Sequence, residues 1–176
     1  MNTWLFKLSN KNILILSAIL TIVLFLSLRV FDSSLYTVHS PNGVLSFEFA
    51  KTIESSNLII SSWNANAKMN AGLSLGIDFL FLFAYSIFFA TACVMIAKNF
   101  NQSYLIYKIC IVLAYLLLFA GICDAIENIA LIKLLLGSNN EIYPPIAYYF
   151  ASIKFSIIAV GILWIILGYL YKLVKK

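Results

Sequence analysis

The sequence predicts an all-α integral membrane protein: a four-transmembrane-helix bundle, both termini cytoplasmic (N-in/C-in), with an external amphipathic helix in its first loop. Three observations carry this. Of the 176 residues 62% are hydrophobic and 11% are charged, against about 25% charged in soluble domains. The apolar residues gather into four runs, each near or above the roughly 20 residues that a spanning helix needs. The lysines cluster at alternate ends of those runs, as the positive-inside rule requires.

The first run, 13–31, follows Lys7 and Lys11. A signal peptide has the same order of charge and apolar core, but this core is long and no A-x-A-like site follows it, so an uncleaved signal anchor is expected. The other spans are expected at 71–97, 109–136 and 146–171, the last after Pro144 and Pro145, which suit a helix start. Lys7 and Lys11, Lys98 and Lys108, and Lys172, Lys175 and Lys176 mark three cytoplasmic segments. The connections 32–70 and 137–143 are then external, and residues 1–176 form a single membrane domain.

Within the long connection, Ser40, Pro41, Asn42 and Gly43 read as a turn. After it, Leu45, Phe49, Ile53, Ile60 and Trp63 recur at near-helical spacing, with Glu48, Lys51, Ser55 and Ser62 opposite them. This predicts an amphipathic helix over 44–63, lying on the outer surface or over the bundle mouth.

The net charge of +5 would suggest nucleic acid in a soluble chain. Here the lysines encode topology and some attraction to anionic headgroups, so the expected partner is the lipid bilayer and no nucleic acid. Cys93, Cys110 and Cys123 all fall within spans without a CxxC pair, which excludes a disulfide framework. With one histidine and no cysteine cluster, neither a metal nor any other cofactor is expected. No G-x-S-x-G elbow, P-loop or dinucleotide fingerprint occurs. Asn101, Gln102 and Ser103 match a glycosylation sequon, but on the cytoplasmic side, where it has no use. Trp4, Trp63 and Trp164 read as interfacial anchors, the run 79–89 as aromatic packing, and His39 as a solvated loop side chain.

The informative residues are those that interrupt the spans: Asp78 in the second, Asp124, Glu127 and Asn128 in the third, and Lys154 in the fourth. A charge at such depth costs about 2.5–3.5 kcal/mol on insertion scales, so these groups need protein partners. From the helical rise, Asp124 lies about 2 Å outward of its span's midpoint, Glu127 and Lys154 about 7 Å, Asp78 about 9 Å and Arg29 about 10 Å. They share one layer in the outer half.

Asp124, Glu127 and Asn128, at i, i+3 and i+4, occupy one helix face with Ala120 and Gly121. Lys154 stands in a stripe of Ala147, Ala151, Ile158, Gly161 and Gly168, whose small residues allow close helix approach. Tyr85 lies two turns beyond Asp78 and can add a phenol. Arg29 either joins the layer or snorkels outward. Three carboxylates against Lys154 leave acid in excess, and desolvation with like charge favours a neutral acid among them.

These residues, Asp78, Asp124, Glu127, Asn128, Lys154, Arg29 and Tyr85, define an expected binding pocket. Its expected occupant is a small amphiphile, cation or proton, bound or transported. One alternative is an intramembrane acid/base enzyme acting on a lipid-like substrate; another is an assembly or accessory protein in which the ion pairs only orient helices. A homo-oligomer in a bacterial inner membrane is the expected setting.

Overall fold

The computed structural model describes Leu5, Lys7, residues 10–100 and residues 104–174, the side chains of 172–174 excepted. Trp4, the Asn101–Ser103 sequon, Lys175, Lys176 and the side chain of Lys172 lie outside the described residues. Among those residues every regular element is helical: α1 (Lys11–Asp32), α2 (Val44–Glu48), α3 (Ile53–Ser62), α4 (Ala65–Ala97), α5 (Leu105–Leu135) and α6 (Tyr143–Val174). Four of these, α1, α4, α5 and the Tyr143–Tyr171 part of α6, are long and apolar enough to cross a membrane.

The helices begin and end where the sequence supplies caps. The Asn10 side chain accepts the Asn12 amide at 3.0 Å at the start of α1, and Asn64 accepts the Ala67 amide at 2.9 Å at the start of α4. Asn64 starts α4 six residues before the apolar run expected at 71, adding a polar turn to the helix. At the end of α5, Gly137 adopts φ +88°; its amide bonds the Leu134 carbonyl at 2.9 Å, and the Ser138 amide bonds the Lys133 carbonyl at 3.0 Å. That pair is a Schellman motif, which needs a residue tolerant of positive φ. Pro144 and Pro145 occupy the first turn of α6, where their missing N–H groups cost nothing.

Helices α4, α5 and α6 form the packed centre, while α1 packs principally on α4. Only 6% of the apolar window of α1 is buried, against 56% for α4 and 44% for α5, so α1 is a peripheral wall. The stripe of small residues on α6 does face its neighbours: Ala147 and Ala151 are fully buried, a Cβ on Gly161 would come within 2.8 Å of Leu117, and one on Gly168 within 2.9 Å of Ile96.

The expected single helix over 44–63 is two helices, because Thr52 caps a new one: its side chain accepts the Ser55 amide at 3.2 Å. The break reverses the expected faces in α2 alone, since Ile53, Ile60 and Trp63 pack inward and Lys51 and Ser55 are exposed as the spacing predicts. Glu48 is buried, while Leu45 and Phe49 are exposed. Trp63, expected as an interfacial anchor, is 3% exposed; its ring meets Phe47 edge-on, and Nε1–H donates to the Leu35 carbonyl at 3.0 Å and to Ser40 Oγ at 3.1 Å. Phe47, Ile59 and Trp63 form one apolar cluster with Ala71, Leu75, Leu131, Leu134 and Ala147, so α2 and α3 cap the end of the bundle made by the start of α4, the end of α5 and the start of α6.

Asp32 fixes the junction between α1 and this cap. Its Oδ1 accepts the Val44 amide at 2.7 Å, and its Oδ2 accepts from Arg29 at 3.0 Å and from the Tyr36 hydroxyl at 3.3 Å. Gly43, at φ +60°, brings the chain so close to Asp32 that any Cβ there would collide with the carboxylate. A second apolar cluster, built on Ala90, Cys93, Val94, Leu113, Ala114 and Leu117, fills the other half of the bundle. Neither cluster occupies the layer between them.

Candidate functional site

That intervening layer is polar. Lys154 of α6 is 5% exposed and points its ammonium at α5, where Asp124 Oδ1 lies at 2.6 Å and Glu127 Oε2 at 2.9 Å. The i, i+3 spacing on one helix face lets a single lysine touch both acids. From the loop side Glu48 Oε2 reaches to 3.9 Å from the same nitrogen, and the Phe155 ring centroid stands 4.9 Å away. The α4 helix supplies the remaining polar partners. The Tyr85 hydroxyl donates to Asp124 Oδ2 at 3.0 Å, and Asn128 Nδ2 donates to Asp78 Oδ2 at 2.6 Å.

Burial divides these groups. Glu127 is 0% exposed, Asn128 1%, Asp124 2% and Tyr85 2%. Asp78 is only half-buried because it lines a cavity. Asp124 has both oxygens engaged, whereas Glu127 Oε1 and Glu48 Oε2 lack hydrogen-bond partners. A buried acceptor in that state is costly when charged. Burial accordingly pushes the Glu48 carboxyl above the ordinary glutamate value of 4.5; Lys154 opposes the rise and Asp124 adds to it.

The cavity beside this layer has a volume of about 530 Å³. Glu48, Asp78, Asp124, Asn128 and Lys154 form its polar side. Ile22 and Phe25 of α1, Leu75 and Phe81 of α4, and Phe155 and Ile158 of α6 are among its apolar walls. Tyr85 and Phe89 extend the α4 wall, at i, i+4 and i+8 from Phe81, with successive ring centroids 5.2 and 6.4 Å apart. This aromatic face, expected only to pack, is part of the cavity lining.

All seven residues expected from the sequence are found at this layer or its rim. Lys154, Asp124, Glu127, Asn128, Asp78 and Tyr85 are joined by the contacts above. Arg29 lines the cavity but stays out of the lysine cluster: its side chain is 52% exposed and it pairs with Asp32. Two acids lay outside the expected set. The spacing over 44–63 places Glu48 on the polar face, although Thr52, a strong N-cap type, signals that the helix carrying Glu48 stops before it. Asp32 reads in sequence as the first residue of a loop, and nothing local announces its long-range bond to Val44. His39 is exposed, as expected. Among the described residues, no group of three or more His, Cys, Asp or Glu side chains is disposed to hold a metal ion.

Fold and site together define a class: among the described residues, a helical bundle with four candidate membrane spans built around a buried lysine with three acidic partners. No family model matches the chain, and no curated protein or solved structure matches it either.

Removing one member of a buried pair leaves the other charge uncompensated, at a cost of about 3–5 kcal/mol. Lys154→Met is therefore expected to destabilise the detergent-solubilised protein by about that amount in denaturant unfolding. Adding Asp124→Asn to it is expected to recover part of the loss, because one of the stranded carboxylates is gone. A Lys154→Met variant as stable as the parent would show that the acids do not hold the lysine.

Proposed function

We propose that residues 1–176 form one integral membrane domain of a bacterial inner membrane, with both termini cytoplasmic, and that its cavity binds a small amphiphile entering from the bilayer. Four helices of sufficient length and apolarity support the insertion. Lysines at the α4–α5 connection and at both ends of the chain support the orientation, which puts α2, α3 and the cavity in the outer half.

One observation carries the binding reading: the polar layer forms one side of a cavity whose other walls are apolar. Its volume of about 530 Å³ falls in the range of pockets that enclose small organic ligands, about 300–1,000 Å³. Access is lateral. Ile22, Phe25, Leu45 and Phe155 line the cavity and are themselves exposed, by 59, 51, 39 and 38%, along the gap left because α1 packs on α4 and not on α6. Such a mouth suits a molecule already dissolved in lipid: its tail exchanges one apolar surface for another, and its headgroup gains the polar layer.

Orientation is tested by impermeant thiol labelling in sealed cells, starting from a chain with its three cysteines replaced. A cysteine at exposed His39 is expected to label directly and one at exposed Lys108 only after permeabilisation; the reverse pattern would invert the topology. Binding is tested with short-chain amphiphiles carrying a photoactivatable tail. Labels are expected on cavity residues such as Phe81 and Ile158, and Ile158→Trp, which fills the space, is expected to suppress them about tenfold. Labels confined to outward residues such as Leu16 and Leu163 would reject the reading.

A further inference from the structure

The headgroup that this cavity accepts is constrained by its charge. Glu48, Asp78, Asp124 and Glu127 face one ammonium, that of Lys154, while the Arg29 charge is offset by Asp32. Lys154 is buried, spends two of its three N–H donors on carboxylates at 2.6 and 2.9 Å, and has Glu48 Oε2 3.9 Å from the same nitrogen, so an incoming anion would meet carboxylates around the ammonium. Carboxylate oxygens dominate what the site offers a headgroup. Glu48 is 8% exposed and lines the cavity. Asp78 also lines the cavity and is half-buried.

Resting on the amphiphile reading above, we propose that the cavity selects a cationic amphiphile: a primary alkylammonium whose headgroup sits between Glu48 and Asp78 and whose tail lies along Phe81 and Phe89. The headgroup N–H groups would donate to the carboxyl groups of Glu48 and Asp78, which line the cavity, and a charge-assisted bond there is stronger than a neutral one. A metal ion would use neither the aromatic wall nor the apolar volume.

Binding is linked to proton release. Glu48 faces Lys154 of α6, Asp124 and Glu127 of α5, Asp78 of α4 and Asp32 of α1, and burial favours its neutral form. A cation beside it favours the carboxylate, so the bound complex holds fewer protons than the free protein. Affinity therefore rises with pH over the range in which free Glu48 is protonated.

The test compares decylammonium, decanol and decyl sulfate as competitors of the photoactivatable label, with the full chain in lipid nanodiscs. Decylammonium, charged throughout the interval from about pH 6 to about pH 8, is expected to compete about tenfold better than decanol, with decyl sulfate weakest. Glu48→Gln and Asp78→Asn are each expected to weaken decylammonium about tenfold and decanol much less, with circular dichroism and thermal unfolding in the same nanodiscs reporting that the variants are folded. The gain in decylammonium affinity with pH is expected in the parent and not in Glu48→Gln. Equal competition by all three, or stronger competition by the sulfate, overturns the cation proposal and leaves the amphiphile site standing. Failure of all three to compete, with no cavity labelling, removes the amphiphile reading itself.

Discussion

An ammonium group enclosed by apolar helices has to keep its counter-ions at contact distance, since water cannot screen it and each unpaired charge at that depth carries a penalty of several kcal/mol. Lys154 imposes this condition on the whole bundle. It fixes the rotation of α6 against α5, because only one face of α5 carries both Asp124 and Glu127. Asp124 then presents its second oxygen to Tyr85, which sets α4 in the same layer. Glu48 draws the short helix α2 down onto the site from the loop, and Asp32 ties that helix to the end of α1. Every element except α3 contributes to this layer or is tied to it directly, and α3 packs over it through Ile59 and its neighbour Trp63.

The same condition accounts for the space beside the lysine. Apolar packing stops at the polar layer: one cluster lies on the loop side and another beyond it, and the charged side chains in between are too few to fill the gap that the peripheral α1 leaves. What remains is a cavity with a charged side and aromatic walls. In a purely structural ion pair, packing would close around the charges and leave no acceptor unused. Here Glu48 and Asp78 line the void, and the acids outnumber the lysine, which is why the layer reads as a receptor for a positively charged headgroup.

The parts of this arrangement governed by local rules could be read from the sequence. The hydropathy runs located the four long helices, the i, i+3, i+4 spacing put Asp124, Glu127 and Asn128 on one face, and the rise per residue brought Asp78, Lys154 and Tyr85 to their level. The parts that depend on how the first loop folds back could not be. Glu48 alternates with hydrophobic neighbours in a way that suits a surface helix, and only the break before Thr52 turns it inward. Trp63 resembles an interfacial anchor until Leu35 and Ser40 are seen to accept from its indole nitrogen. Asp32 gains its role from Val44, twelve residues on, through a turn that needs glycine at position 43. In each case a tertiary contact overrode a local pattern.

The central claim is that the acids exceed the charge Lys154 can balance, and that burial holds the Glu48 carboxyl above its ordinary value. Infrared difference spectroscopy of the purified protein measures this directly through the carbonyl stretch of a protonated carboxyl group. The account predicts such a band at about pH 7, lost as the pH is raised and diminished in Glu48→Gln. A spectrum at neutral pH containing only carboxylate bands would contradict it.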